Sequence, residues 1–518
     1  MGTSNKRFRT ARNINDSEIT RQNVQTRIDR SKNIESRKKL GQFATPFQMA
    51  QEIVSYGLTL QSEEDITFLE PALGTGAFYS ALLTEFENYS KNIKKAIGVE
   101  LDYDFFSAAK QIWKDNAIDI INSDFTETKC FENVNLLISN PPYVRHHYIE
   151  HKKKSQLLER TKEETGYLFS GLTGLYCYFV LLAHKWLAPN AISGWLLPSE
   201  FMDVNYGDAF KQYLLNRVRL LRIHRYDPNE TQFGDAVVSS CVVWFKNEFS
   251  VENYDVEFSF GGTHKNPKII KKTDRYSLEK QRKWTTFPQN QFEIFTSSST
   301  PTLGDFFDIK RGLATGDNDF FILSKKQIIS LGLDMDFFIP ILPSPRHLKC
   351  DEIFCDENGH PCMDEQYYLL NCTLPEDDII KKSPALWSYL NSGKDTVAQK
   401  YLCKHRKVWY FQESRKPTPF LCSYMGRCTD QRSIPFRFIL NHTNAIATNS
   451  YLMLYPKSDL QKAIMQKPDI IHKIWSIVSS ITAHDFEKEG RIYGGGLRKI
   501  EPKELSNVRC PLLAGLLT

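Results

Sequence analysis

Between residues 40 and 250, apolar runs of strand length alternate with stretches of helical pattern, and this alternation most constrains the fold of the 518-residue chain. The strand-like runs are 66–69, 96–100, 136–139, 192–197, 220–226 and 237–245. Helical patterns lie at 76–87, 104–116, 176–187 and 208–217. Strands that alternate with helices imply crossover connections, and these place helices on both faces of a mainly parallel sheet. Such sheets bind ligands at the carboxyl ends of their strands. The residues at those ends are therefore the first candidates for chemistry.

The chain is too long for one ordinary domain. We expect a basic extension over 1–36, a catalytic domain over 37–290 and a second domain over 300–518. Residues 247–302 show little periodicity and are left without an assignment. No internal repeat is found. Residues 1–40 carry eleven Lys/Arg against four Asp/Glu, although the whole chain is only +5. That extension reads as a flexible or singly helical arm, either adding phosphate contacts or merely aiding solubility. No apolar core of a secretory signal opens the chain, and the apolar stretch 168–187 is too interrupted to span a bilayer. Eleven cysteines without CxxC spacing suggest reduced thiols, so a cytoplasmic protein with no membrane partner is expected. Cys350, Cys355, His360 and Cys362 fit no common zinc spacing, and no metal site is expected.

Four strand ends carry chemistry. Asn140-Pro141-Pro142-Tyr143 follows the run Asn135–Ser139, where two prolines force a rigid loop. Its carboxamide oxygen, the carbonyl of Pro141 and the flat ring of Tyr143 can grip a planar, amino-bearing group. Upstream, Glu70-Pro71-Ala72-Leu73-Gly74-Thr75-Gly76 joins a strand to a helix through a glycine turn, the layout of a nucleotide-type site. A dinucleotide fingerprint would need a third glycine at Tyr79, and Glu70 would repel a pyrophosphate; a cationic, phosphate-free cofactor suits this loop better. Glu100 lies about twenty-five residues past the glycines, where a ribose diol binds. Asp124-Phe125 ends the next strand and could meet an adenine ring. Any one of these acids alone would read as a surface carboxylate; their order and spacing make the pattern.

Taken with Gly41-Gln42-Phe43-Ala44-Thr45-Pro46 and the tail Tyr493-Gly494-Gly495-Gly496-Leu497-Arg498-Lys499-Ile500-Glu501-Pro502, these motifs resemble an S-adenosylmethionine-dependent DNA adenine-N6 methyltransferase. The motif order is similar to the gamma group of type II restriction–modification methylases. The likeness runs from about Lys38 to Pro511, with Leu73 standing where that family often has Cys. It implies an α/β fold: a Rossmann-like class I methyltransferase sheet and a C-terminal α+β target-recognition domain. It also implies roles. Phe43 would wall the cofactor pocket, Thr45 would meet the methionine carboxylate and Glu70 its amino end. Ala72, Gly74 and Gly76 would let the backbone approach, Glu100 would hold the ribose, and Asp124 and Phe125 the cofactor adenine. Asn140 and Pro141 would accept from the target amino group, in the loop that Pro142 stiffens. Tyr143 would stack on the target base, with Phe233 as a second stacking aromatic.

The implied partners are double-stranded DNA and a separate restriction endonuclease, with the methylase a monomer. Within 397–440 stand nine Lys/Arg, two acidic residues and eight aromatics, whereas 351–378 holds nine acidic residues and no Lys or Arg. Basic and aromatic side chains together can bind phosphates and stack on bases, although an aromatic core under a charged surface gives the same composition. Candidate DNA contacts are Arg311, Arg346, Arg406, Arg415, Lys416, Arg427, Arg432, Arg437 and Arg498, each of which also reads as a solvated surface charge. The same clamp could serve an RNA base or a protein glutamine, but such enzymes seldom need some 200 further residues of this composition. A catalytically silent DNA-specificity protein would not need every chemical position filled. A fused nuclease is disfavoured because no convincing Asp…Glu-x-Lys site is found.

Overall fold

The computed structural model describes residues 11–33, 37, 40–227, 239–249, 252–287, 300–428, 434–493 and 497–516. It divides into two compact units, Met1–Glu293 and Ile294–Thr518.

The first unit is built on one nine-stranded sheet of order β3-β2-β1-β4-β5-β7-β6-β8-β9. Its strands are β1 (Asp65–Glu70), β2 (Asn92–Glu100), β3 (Ile118–Asn122), β4 (Val134–Ser139), β5 (Leu187–Pro198), β6 (Arg219–Arg225), β7 (Ser240–Lys246), β8 (Asp255–Gly262) and β9 (Pro267–Asp274). The β3 to β5 half is parallel, and β7 runs antiparallel between β5 and β6. Alternate residues of the central strands feed two cores. Leu69, Leu137, Leu197 and Val243 point to one face; Phe68, Leu136, Leu196 and Val242 point to the other. Every residue of β4 is buried, the pattern of a strand covered on both sides. Helices Phe47–Leu60, Ala77–Glu85 and Leu175–Leu182 supply the cover.

Two sequence expectations are corrected here. The unassigned stretch after 247 contains β8 and β9, which extend the sheet, and the helix Arg275–Lys280. Val256 and Phe258 face the core while Lys271 and Lys272 lie on the edge strand β9. Lysines on an edge discourage pairing with other chains, and their number masked the strand pattern. The described part of the 1–36 extension takes the singly helical of its two expected forms, but docked rather than free. Ala11–Ser31 is a 21-residue helix whose Ile14, Glu18, Arg21 and Ile28 are buried within the first unit.

The second unit holds three smaller sheets. Strands β10 (Phe307–Arg311), β13 (Glu352–Ile353), β15 (Phe420–Ser423), β17 (Phe438–Asn441) and β19 (Tyr451–Pro456) form the largest, in the order β10-β19-β15-β17-β13. The second contains β11 (Ile322–Ser324), β12 (Phe338–Leu342), β14 (Tyr367–Leu370) and β18 (Ile446–Ala447). The third contains β16 (Met425–Gly426), β20 (Arg491–Tyr493) and β21 (Leu497–Lys499). Among the described residues no helix is long and apolar enough to cross a membrane.

Candidate active site

Local chemistry sets the shape of the strand ends in the first unit. After β1 the chain turns through Gly74 (φ 57°) and Gly76 (φ 88°) before the helix Ala77–Glu85, a left-handed geometry that favours glycine. A Cβ on Gly74 would meet open space, so the backbone there is approachable. Gly76 serves another purpose: a Cβ there would lie 2.6 Å from Nε1 of Trp113, which donates to the carbonyl of Thr75 at 2.9 Å. Its missing side chain makes room for a core tryptophan. Gly41 (φ 64°) plays the same part for the Asn-Pro-Pro-Tyr loop. A Cβ at Gly41 would fall 2.3 Å from the amide nitrogen of Tyr143, which donates to the Gly41 carbonyl at 3.2 Å.

These ends enclose a cavity of ≈ 290 Å³. Of the expected residues, Phe43, Thr45, Glu70, Ala72, Gly74, Glu100, Asp124, Phe125, Asn140 and Pro142 line it; Gly76, Pro141 and Tyr143 do not. The Tyr143 hydroxyl donates to the Leu196 carbonyl at 3.1 Å, and its ring stands 5.8 Å from that of Phe43 at 45°. Phe233 lies outside the described residues.

Asn140 is the most informative side chain. Its Nδ2 donates to the Phe43 carbonyl and to Thr45 Oγ1, both at 3.1 Å. Those two acceptors fix which way the carboxamide points. Its Oδ1 is buried and has no partner. An acceptor held rigidly and left unsatisfied is costly, at about 1–3 kcal/mol, and is the feature expected of a site that awaits a donor.

The acids are equally constrained. Glu70 is 1% exposed and accepts from the Tyr79 amide at 3.0 Å. Burial drives its carboxyl well above the usual range, against the opposing Tyr79 and Phe78 amides and the charge of Arg21. Burial likewise raises Glu100, which accepts from the Gly74 amide at 2.7 Å and the Asp102 amide at 2.8 Å. A buried and a half-buried carboxyl, both raised, favour a ligand that brings positive charge and hydroxyl donors. For Asp124, burial again acts upward but is outweighed by Lys153 and Thr126, so its carboxyl sits below the usual range. Thr126 holds Oδ1 through its amide (2.8 Å) and hydroxyl (2.7 Å), and Lys153 pairs with Oδ2. Phe125 is a core residue that edges the cavity, its ring 5.4 Å from that of Phe179.

Sequence reasoning missed two contributors. Lys153, on the helix His151–Thr165, already occupies one oxygen of Asp124. Arg21, Gln25 and Asp29 of the N-terminal helix form part of the cavity wall. Arg21 gives Glu18 two hydrogen bonds of 2.7 Å and reaches Thr75 Oγ1 at 3.1 Å. A signal was present: Ile14, Glu18, Arg21, Gln25 and Ile28 recur at helical spacing. Because three of these five residues, Glu18, Arg21 and Gln25, are polar or charged, the stripe read as a polar segment.

Candidate DNA contacts in the second unit sort into two groups. Arg311 donates to the Asn449 carbonyl (3.0 Å) with its guanidinium 4.0 Å from the centre of the Tyr424 ring. Arg406 donates to the Ala314 carbonyl (2.9 Å), Arg415 pairs with Glu413 (2.6 Å), and Arg437 pairs with Asp351 (2.6 Å). Arg498 contacts the sulfur of Cys428. These five tie their own unit together. Arg346, Lys416 and Arg427 are exposed, and Arg432 lies outside the described residues. The aromatics of 397–440 are mostly core: Phe420 and Phe438 are buried on the interior strands β15 and β17, and Tyr410, Tyr424 and Phe436 are buried in the adjoining hydrophobic clusters. A stacking platform is not what that composition encodes.

The sheet order, glycine turn, acid-lined cavity and clamp loop are those expected of an S-adenosylmethionine-dependent methyltransferase. Comparison with known proteins carries this further. The Eco57I restriction-modification methylase family matches residues 9–233, and the C-terminal domain of the type II methyltransferase M.Eco57I matches residues 281–516. The type II methyltransferase M.AccI of Acinetobacter calcoaceticus is 26% identical, over 94% of this chain and 88% of its own. M.XamI of Xanthomonas campestris pv. amaranthicola is 27% identical, over 78% and 72%. Among solved structures, the type IIL restriction-modification enzyme MmeI in complex with DNA superposes with a TM-score of 0.50 at 13% identity. That match covers 81% of this chain and 60% of the larger enzyme. The chain belongs to the Eco57I-like family of type II restriction–modification methyltransferases, and is a DNA methyltransferase whose cofactor is S-adenosylmethionine.

Proposed function

We propose that this chain methylates the N6 amino group of adenine in DNA, on a base flipped out of the duplex, as the modification partner of a separate restriction endonuclease. The observation that carries the reading is the unsatisfied, buried Oδ1 of Asn140 at the cavity wall. The lone pair of an exocyclic amine is delocalised into its ring, so the nitrogen is a poor nucleophile. Two acceptors, Asn140 Oδ1 and the Pro141 carbonyl, would take both of its hydrogens and localise that pair. The contacts of Asn140 with Phe43 and Thr45 pre-set the geometry, so little reorganisation is needed during reaction. When bound, the cofactor supplies a sulfonium methyl as the electrophile. Glu70 would hold its ammonium end and Glu100 its ribose hydroxyls, while Asp124 would receive its adenine amino group once Lys153 yields an oxygen. A paired adenine is hidden in the stack; extruding it costs a few kcal/mol, which stacking on Tyr143 would offset by about 1–3 kcal/mol. Monomeric action and the gamma-group motif order belong to the same reading.

Asn140→Ala tests it. Transfer of labelled methyl to DNA should fall below detection while cofactor affinity stays within a few-fold of wild type. Transfer at the wild-type rate would sink the mechanism. Sequencing of modified DNA from cells expressing the chain reads out the base; N4-methylcytosine in place of N6-methyladenine would overturn the substrate while leaving the clamp chemistry intact.

A further inference from the structure

The second unit brings three metal-type ligands to one point, and we propose that Glu352, His442 and His472 form a zinc site. This site would staple the helix Ile470–Ser479 to the five-stranded sheet. The ligands come from three separate elements. Glu352 opens β13, which pairs in parallel with β17 through Glu352↔Leu440 and Ile353↔Asn441. His442 follows β17 directly, and its amide donates to the Ile353 carbonyl at 3.0 Å. Backbone register therefore sets these two side by side. His472 lies on the helix one turn before Trp475, whose indole N–H donates to the Phe438 carbonyl at 3.0 Å. Residues three apart share a helix face, so the bond that pins Trp475 to β17 also presents His472 to the same spot.

Two of the three donor separations are close to those of a metal centre, and the third, between the two histidine nitrogens, is within 4.8 Å and must reach the same spacing. Nε2 of His442 lies 2.9 Å and Nε2 of His472 2.8 Å from the same oxygen, Oε1 of Glu352. All three donor atoms lie within 4.8 Å of one another. Zinc bonds of about 2.0–2.2 Å in tetrahedral geometry place neighbouring donors roughly 3.3 Å apart, so each contact must open by about half an ångström. The Phe354 ring stacks on His442, 5.4 Å away and 10° from parallel, which fixes the imidazole plane. Two imidazole nitrogens and one carboxylate oxygen are a donor set for zinc rather than for calcium or magnesium, which prefer oxygen alone. His472 is the exposed member, leaving the fourth position open to water. The sequence candidates Cys350, Cys355, His360 and Cys362 are not brought together as a ligand group among the described residues.

Without metal, the triad is a shared hydrogen bond in which both Nε2 atoms must carry protons; with zinc, both must be free of them. The two states are therefore separable. The full chain is stripped with chelator, equilibrated with zinc chloride at pH 7.5, and its zinc measured per chain. Wild type should hold one zinc more than His442→Ala or His472→Gln. The affinity of this site should fall more than about 100-fold in either variant, since losing even an outer partner of a ligand costs 10–100-fold. His472→Gln changes an exposed helix position and guards against misfolding of the first variant. Zinc should raise Tm of the wild type alone, and lowering the pH to 5.5 should release the ion. Equal zinc in wild type and His472→Gln, with exposed thiols accounting for all of it, overturns the proposal.

Discussion

Replacing Arg21 with alanine separates a structural helix from a solvated arm. The guanidinium is 3% exposed and meets Glu18, itself 5% exposed, through two hydrogen bonds of 2.7 Å. Glu18 also accepts from Ser80 (2.6 Å), on the helix that follows the glycine turn. Removing Arg21 leaves a buried carboxylate with the Ser80 hydroxyl and the Gln22 amide as donors and no guanidinium. Breaking a buried ion pair from one side costs about 3–5 kcal/mol, whereas an exposed pair is worth about 0–1 kcal/mol. The helix has one escape: it can undock and let Glu18 reach water, so the loss is capped at its docking free energy. Urea unfolding of the full chain, followed by the fluorescence of Trp113 and its neighbours, measures the loss. Trypsin cutting at the exposed Arg27 and Arg30 reports undocking. The double variant Glu18→Gln/Arg21→Ala should recover at least half of the stability, because no buried charge is stranded. Cofactor affinity should fall with Arg21→Ala, since this residue lines the cavity and holds Thr75. A variant within about 0.5 kcal/mol of wild type, cut by trypsin no faster and binding cofactor equally, would refute the reasoning.

Other outcomes follow from the same geometry. Gly41→Ala would drive a Cβ to 2.3 Å from the Tyr143 amide; kcat should drop by about 100-fold, the usual consequence of a 1 Å misplacement at a reacting centre, and an unchanged kcat would remove Gly41 from the account. Lys153→Ala should bind cofactor as tightly as wild type or tighter, since Lys153 occupies an oxygen of Asp124; a tenfold loss in calorimetry would instead make Lys153 a cofactor ligand. Burial holds the Glu70 carboxyl well above 4.5, so the free protein keeps that proton to higher pH than an exposed glutamate would. The stability this adds is present at low pH and fades as pH rises through the folded pKa. A cationic ligand favours the ionised form, so binding releases the proton and affinity should rise with pH above 4.5 until Glu70 is ionised in the free protein. Glu70→Gln should flatten that profile, and a flat wild-type profile would remove Glu70 from contact with the cationic end.

The legible parts of this protein were those set by neighbours in sequence. Most of the strand and helix positions read in 40–250 agree with the structure to within a few residues, because apolar runs of strand length, helical periodicity and glycine or proline turns are local properties. The helical pattern at 176–187 overruns at its end, where the chain is already in β5 from Leu187, and the helices Phe47–Leu60 and His151–Thr165 were not anticipated. Eight of the ten expected residues at the cavity stand at or just after strand ends, because parallel strands deliver their ends to one edge; Phe43 and Thr45 precede β1 and reach the cavity through their contacts with Asn140. Gly76 shows the limit: the turn demanded glycine, but only the packed structure shows that Trp113 fills the space.

From its sequence alone this chain determined the layered sheet, the glycine turn, the clamp loop and the acids that surround a cofactor cavity. Tertiary structure decided what the charges are for. Arg21, Gln25 and Asp29 became part of the wall, Lys153 settled on Asp124, and Arg406, Arg415 and Arg437 of the second unit turned to carbonyls and carboxylates of their own unit. Glu352 and His472, 120 positions apart, came within 2.8 Å of each other. The reason is physical. Burial pattern repeats along the chain and can be counted there, but the environment of a charge depends on whichever groups folding places within a few ångströms.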